Sequence, residues 1–166
     1  IIDANSPFEY VPLKPAKQGA LLIHGLLDCP FTFQEIGTYL QKSYILSRSI
    51  LLPGHGTRAE DLMHVTYHDW LQAVRYGIET LKKEVELIYL IGYSTGAALS
   101  VYHALQDSQI AGIILLSPAI KVRASVDLAA SWIHLTNYLG KNRHWVYHCE
   151  ENDYVKYRSI AFNGVK

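Results

Sequence analysis

The chain has 166 residues, enough for one domain with a hydrophobic core, and its 49% apolar and 18% charged residues exclude a disordered chain. Lys plus Arg and Asp plus Glu each number 15 and no basic block occurs. That removes the electrostatic footprint of nucleic-acid binding and makes an uncharged substrate the simpler expectation. No apolar run approaches the roughly 18 residues that span a bilayer, and two cysteines, Cys29 and Cys149, are too few for a disulfide framework.

In chain order, residues 8–14 read as a short strand stopped by Pro15. Residues 19–23 form a continuous apolar run ending at His24-Gly25, the pattern of a strand buried on both faces. Residues 32–41 carry Phe33, Ile36, Tyr39 and Leu40 at helical spacing. Residues 44–52 form the next strand, stopped by Pro53-Gly54, and residues 61–63 suit a short helical turn. Thr66 is placed to cap a helix running to about Lys83, with Asp69 as the capping-box acid. Its Trp70, Val74, Gly77, Ile78 and Leu81 make one apolar or small stripe. Residues 87–91 read as a third buried strand, 97–106 as a helix, and 110–116 as a fourth strand ending at Ser117-Pro118. Beyond it, 126–139 reads as a helix with Leu128, Trp132, Leu135 and Leu139 on one face, and 141–166 shows no strand pattern. Strands alternating with helices predict an α/β fold with a mostly parallel sheet, helices on both faces and right-handed crossovers.

The third strand runs into Gly92-Tyr93-Ser94-Thr95-Gly96, and a helix rich in small residues comes next. A serine at a sharp strand-to-helix turn lifts its hydroxyl above the sheet edge. Glycines two residues either side avoid the clash that a Cβ would cause. The helix start also presents N–H groups where negative charge develops. Ser94 is therefore the candidate nucleophile. His24-Gly25-Leu26-Leu27 follows a buried strand about 70 residues earlier, where the α/β-hydrolase plan places an oxyanion loop. The backbone N–H groups of Leu26 and Thr95 are the candidate oxyanion donors. Leu27 and Phe31 border this loop and are the candidate acyl-side lining. His24 reads as a core histidine bracing the loop, and Tyr93 is expected to be buried beside the elbow.

Three landmarks, Leu22-Ile23-His24-Gly25-Leu26, Leu52-Pro53-Gly54-His55-Gly56 and the Ser94 pentapeptide, together resemble the α/β-hydrolase superfamily. The Pro-Gly-His-Gly stretch followed by Asp69-Trp70 resembles the monoacylglycerol lipase and bacterial carboxylesterase branch. The resemblance covers residues 19–120, which corresponds to the N-terminal part of the core over 1–120. It likens 121–166 to the start of a helical cap. It implies ester hydrolysis through an acyl-enzyme on monoacylglycerols or short acyl esters; no cofactor and no metal are expected, since the sequence has no His-Glu-x-x-His arrangement and no phosphate-loop frame. Thioesterase, peptidase or perhydrolase chemistry, or a non-catalytic binding protein on this scaffold, are the alternatives. His55 is expected to support its own loop.

The family's triad acid and histidine are expected beyond residue 166, so these residues alone are expected to hydrolyse esters little. Asp127 with His144 or His148 has the right chain order but falls in the cap-like sequence, whose Trp132, Tyr138, Trp145, Tyr147, Tyr154 and Tyr157 would suit an acyl chain or pack the cap. The expected partner is a small-molecule or lipid ester. No nucleic acid and no transmembrane segment are expected, and homo-oligomerisation stays open. The expected compartment is the cytoplasm, with an upstream signal peptide left open.

Overall fold

The computed structural model describes residues 5–120 and the backbone strands Trp145–Val146 and Ile160–Ala161. At its centre is β2 (Gln18–Ile23), which has no wet face. Strand alternation sends Leu21 and Ile23 to one side and Ala20 and Leu22 to the other, and all four are buried. β3 (Ile45–Ile50) and β4 (Leu87–Tyr93) flank it in parallel, β5 (Ile110–Leu116) adds in parallel beyond β4, and β1 (Phe8–Tyr10) pairs antiparallel with β3. The order is β1-β3-β2-β4-β5. The parallel sheet that the apolar runs predict is present, with an antiparallel strand on one edge.

The helices cover both faces. α2 (Tyr67–Leu81) lays Trp70, Val74, Ile78 and Leu81 against Leu21, Ile23, Leu46 and Leu90. Gly77 sits where this helix crosses β2, and a Cβ there would lie 2.9 Å from Leu21 Cδ1. Its start matches the sequence reading: the Thr66 N–H and hydroxyl both donate to Asp69 Oδ2 at 2.7 Å. On the opposite face Ile36 and Leu40 of α1 (Gln34–Lys42) pack on the cluster of Ala20, Leu22, Phe33 and Ile91. α3 (Thr95–Ala104) follows β4. Arg48 of β3 ties the edge to the end of α2 by donating to Glu9, to Thr80 at 2.9 Å and to Glu84 at 2.7 Å.

Several boundaries differ from expectation. A 3-10 turn at Pro30–Phe33 precedes α1, so the α-helix begins at Gln34 instead of residue 32. Pro30 opens that turn, and the Thr32 hydroxyl donates to Asp28 Oδ1 at 2.5 Å. β4 continues two residues past its apolar run because Gly92 and Tyr93 still pair with Leu115 and Leu116. α3 starts at Thr95, two residues before the expected Ala97. Trp145–Val146 pairs antiparallel with Ile160–Ala161, where the sequence shows no strand pattern. Two residues per strand are too few for alternation to register in a sequence. The expected helix over 126–139 and the cap aromatics, apart from the backbone of Trp145, lie outside the described residues. No described helix is long and apolar enough to cross a membrane.

Candidate active site

The turn from β4 into α3 holds Ser94 at φ 52° and ψ −112°, a conformation that side-chain-bearing residues rarely adopt. Backbone hydrogen bonds hold it there. The Ser94 N–H donates to Leu116 O at 2.9 Å, and Ser94 O accepts from Ala97 N–H at 3.1 Å and Ala119 N–H at 3.2 Å. The flanking glycines have the steric reason that the motif implies. A Cβ at Gly92 would lie 2.3 Å from Gly96 O, and one at Gly96 would lie 2.0 Å from Ile23 O and 2.6 Å from His24 O. Those are backbone atoms that no rotamer change can clear. Tyr93 corrects an expectation: it is 38% exposed, not buried. It is the last residue of β4 and its ring edges past Gly25, where a Cβ would lie 3.1 Å from Tyr93 Cδ1.

The same absent Cβ at Gly25 would lie 3.1 Å from Ser94 Cβ, so the His24-Gly25 loop and the elbow are in direct contact. The loop reverses in a turn closed by Asp28 N–H to Gly25 O at 3.3 Å, with Leu27 at φ 62°. A positive φ at the third turn position alone is the type II pattern. No described group accepts from the N–H of Leu26 or of Thr95, the first residue of α3. The side chains of Leu26 and Leu27 lean on the larger core cluster, and Phe31 is 54% exposed.

Histidines brace this loop from beneath. His24 is fully buried: Nδ1 meets Gly25 O at 2.8 Å and Nε2 accepts from Leu52 N–H at 3.0 Å. Burial pushes its pKa from 6.5 down to about 4, outweighing the carbonyl of Gly25, so the ring is neutral. His55 stacks edge-on at 4.9 Å between centroids, and burial lowers its pKa as well. Pro53 O accepts from His55 Nδ1 at 3.1 Å and from Trp70 Nε1 at 3.0 Å, which fastens the Pro-Gly-His-Gly loop to α2. The stripe spacing marks Trp70 as core. Nothing in that spacing shows where its indole N–H goes. His55 Nε2 and Asp28 Oδ2 are buried with no hydrogen-bond partner among the described residues. His103 is engaged elsewhere, bonding Leu71 O at 3.1 Å between α3 and α2. No described histidine is hydrogen-bonded to Ser94, and Asp127, His134, His144 and His148 lie outside the described residues. Among the described residues no cluster of three His, Cys, Asp or Glu side chains could hold a metal ion.

A family model described as "Serine aminopeptidase, S33" matches residues 14–158. A thermostable monoacylglycerol lipase from Bacillus sp. (strain H-257) is 32% identical over 106 residues, covering 64% of this chain and 42% of that protein. The chain thus spans less than half the length of this curated relative. Among solved structures, a metagenome-derived lipolytic enzyme superposes with a TM-score of 0.81 at 21% identity, over 97% of this chain and 65% of that one. The monoacylglycerol lipase of Paleococcus ferrophilus gives 0.67 at 17% identity, over 94% and 65%. At such identities the superpositions speak for the fold.

Proposed function

Because the chain belongs to the serine aminopeptidase family of α/β hydrolases, we propose that the full-length protein cleaves carboxylic esters, monoacylglycerols or short acyl esters, through an acyl-enzyme on Ser94. The observation that carries this reading is the strained Ser94 turn in contact with Gly25, flanked by the two unengaged N–H groups. In the proposed reaction Ser94 Oγ attacks the ester carbonyl carbon as a base takes its proton. The Leu26 and Thr95 N–H groups hold the oxyanion of the tetrahedral intermediate. Collapse expels the alcohol, and water then releases the acid from the acyl-serine. In this reading the base is a residue other than His24, engaged at both ring nitrogens, and His55, whose Nδ1 is bound to Pro53 O and which is not hydrogen-bonded to Ser94. Leu27 and Phe31 flank the acyl side in this reading, and the identity shared with a monoacylglycerol lipase favours an ester of glycerol.

A fluorophosphonate probe tests it. The full-length protein should be labelled, and Ser94→Ala should lose both label and turnover of p-nitrophenyl esters and monoacylglycerols, by at least about 10³-fold. Label surviving in Ser94→Ala, or none in the unmodified protein, would refute the nucleophile. The family description favours one second reading, an aminopeptidase. Aminoacyl p-nitroanilides cleaved faster than any ester in the same assay would select it.

A further inference from the structure

We propose that His24 is a positioning residue whose Nδ1–H tautomer aims the Leu26 N–H into the space over Ser94. The inference rests on the reading of Ser94 as nucleophile and of Leu26 as oxyanion donor, and it concerns what makes that donor point the right way.

The argument is one of peptide geometry. The peptide between Gly25 and Leu26 is trans, as are all described peptides, so its C=O and N–H point in opposite directions. Whatever fixes the Gly25 carbonyl therefore fixes the Leu26 N–H. Two donors hold that carbonyl, the His24 ring at 2.8 Å and the Asp28 N–H at 3.3 Å, and the ring is the closer. The His24 ring is fully buried, so it draws Gly25 O inward. The Leu26 N–H is left facing outward, with no described acceptor, on a loop whose Gly25 touches the elbow.

The tautomer is set by the other ring nitrogen. Leu52 N–H can only donate, so Nε2 must present its lone pair to it and the ring proton must sit on Nδ1. Leu52, two residues beyond the end of β3, thereby dictates which way His24 donates. A neutral imidazole accepts on one side and donates on the other from a single rigid ring. Asparagine or glutamine can reproduce only one of these two contacts from this backbone position, because the short amide reaches the near nitrogen's place and the long amide the far one's.

That difference supplies the test, made in the full-length protein. His24→Asn keeps a donor near the Nδ1 position and loses the acceptor for Leu52. His24→Gln keeps an acceptor near Nε2 and loses the donor to Gly25. The expected result is that His24→Asn retains kcat within about tenfold, whereas His24→Gln loses about 10²–10³ in kcat with KM within about threefold, as for loss of one oxyanion donor. Affinity for a trifluoromethyl ketone, whose adduct carries the oxyanion, should fall in step with kcat. Equal losses in the two variants, or a loss confined to KM, overturn the inference and leave the esterase reading standing. Absence of Ser94-dependent turnover in the unmodified protein overturns both. Long-range proton–nitrogen NMR of the unmodified protein needs no variant to fold. An Nδ1–H signature for His24 supports the inference, and an Nε2–H signature overturns it.

Discussion

Gly96→Ala is the sharpest test of how the elbow is built. The added methyl would lie 2.0 Å from Ile23 O and 2.6 Å from His24 O, where ordinary contact begins at 3.4 Å. Relief needs a displacement of more than about 1 Å between α3 and the end of β2, because neither obstacle is a side chain that can swing aside. Overpacking typically costs about 1–3 kcal/mol, and two backbone obstacles place this case at the upper end, about 3 kcal/mol. The melting temperature should then fall by about 10 °C. The displacement also separates Ser94 from Gly25. An error of about 1 Å in a reacting geometry can cost about 10²-fold, so kcat/KM for a p-nitrophenyl ester should drop by at least that much. Gly112→Ala is the control. Its methyl would meet the Tyr89 ring at 3.2 Å, a side chain that can give, so melting should move by no more than about 2 °C. A Gly96→Ala protein that melts within about 2 °C of the parent and keeps kcat/KM within about threefold would refute this account of the turn.

The histidine brace gives two further outcomes. A buried histidine whose folded pKa lies below its unfolded value contributes stability that is whole above pH 6.5 and is lost as pH falls toward the folded pKa of about 4. The drop corresponds to about 3 kcal/mol, and His55 and Asp28 are the titratable groups that act on the ring. Urea melts at pH 7 and pH 4 should show the parent losing about 3 kcal/mol more than His24→Asn, and parallel pH profiles would contradict the assignment. Trp70→Phe removes one of two donors to Pro53 O and leaves part of the indole's buried space empty, and should cost about 2 kcal/mol by thermal melting.

β2 and β4 are legible in the sequence because their runs, 19–23 and 87–91, are apolar at every position, whereas the equally parallel β3 buries Ser47 and Ser49. The Thr66 cap is legible because it is a local contact between side chains three residues apart. The ends of elements are less so. Gly92 and Tyr93 continue β4 through backbone pairing, which leaves no mark on side-chain type, and Pro30 imposes a 3-10 turn that periodicity reads as helix. At the site, the elbow and the loop can be named as motifs. That Gly25 abuts Ser94 cannot be read there, since about 70 residues separate them and only the β2–β4 pairing brings them together. Tyr93 reads as buried because large aromatics next to apolar runs usually are. It stands at the sheet's end, beyond the helices that cover its neighbours.

The backbone clasp from Leu116 and Ala119 onto Ser94 matters to anyone who grafts new segments onto this scaffold. A junction cut at Ser117 or Pro118 would loosen the serine's main chain without altering a single residue of the pentapeptide, and a chimera made there could look intact by sequence yet fail. Splice points placed after Ala119 keep the clasp, so the segment C-terminal to that residue can be exchanged while Ser94 stays where β4 delivers it.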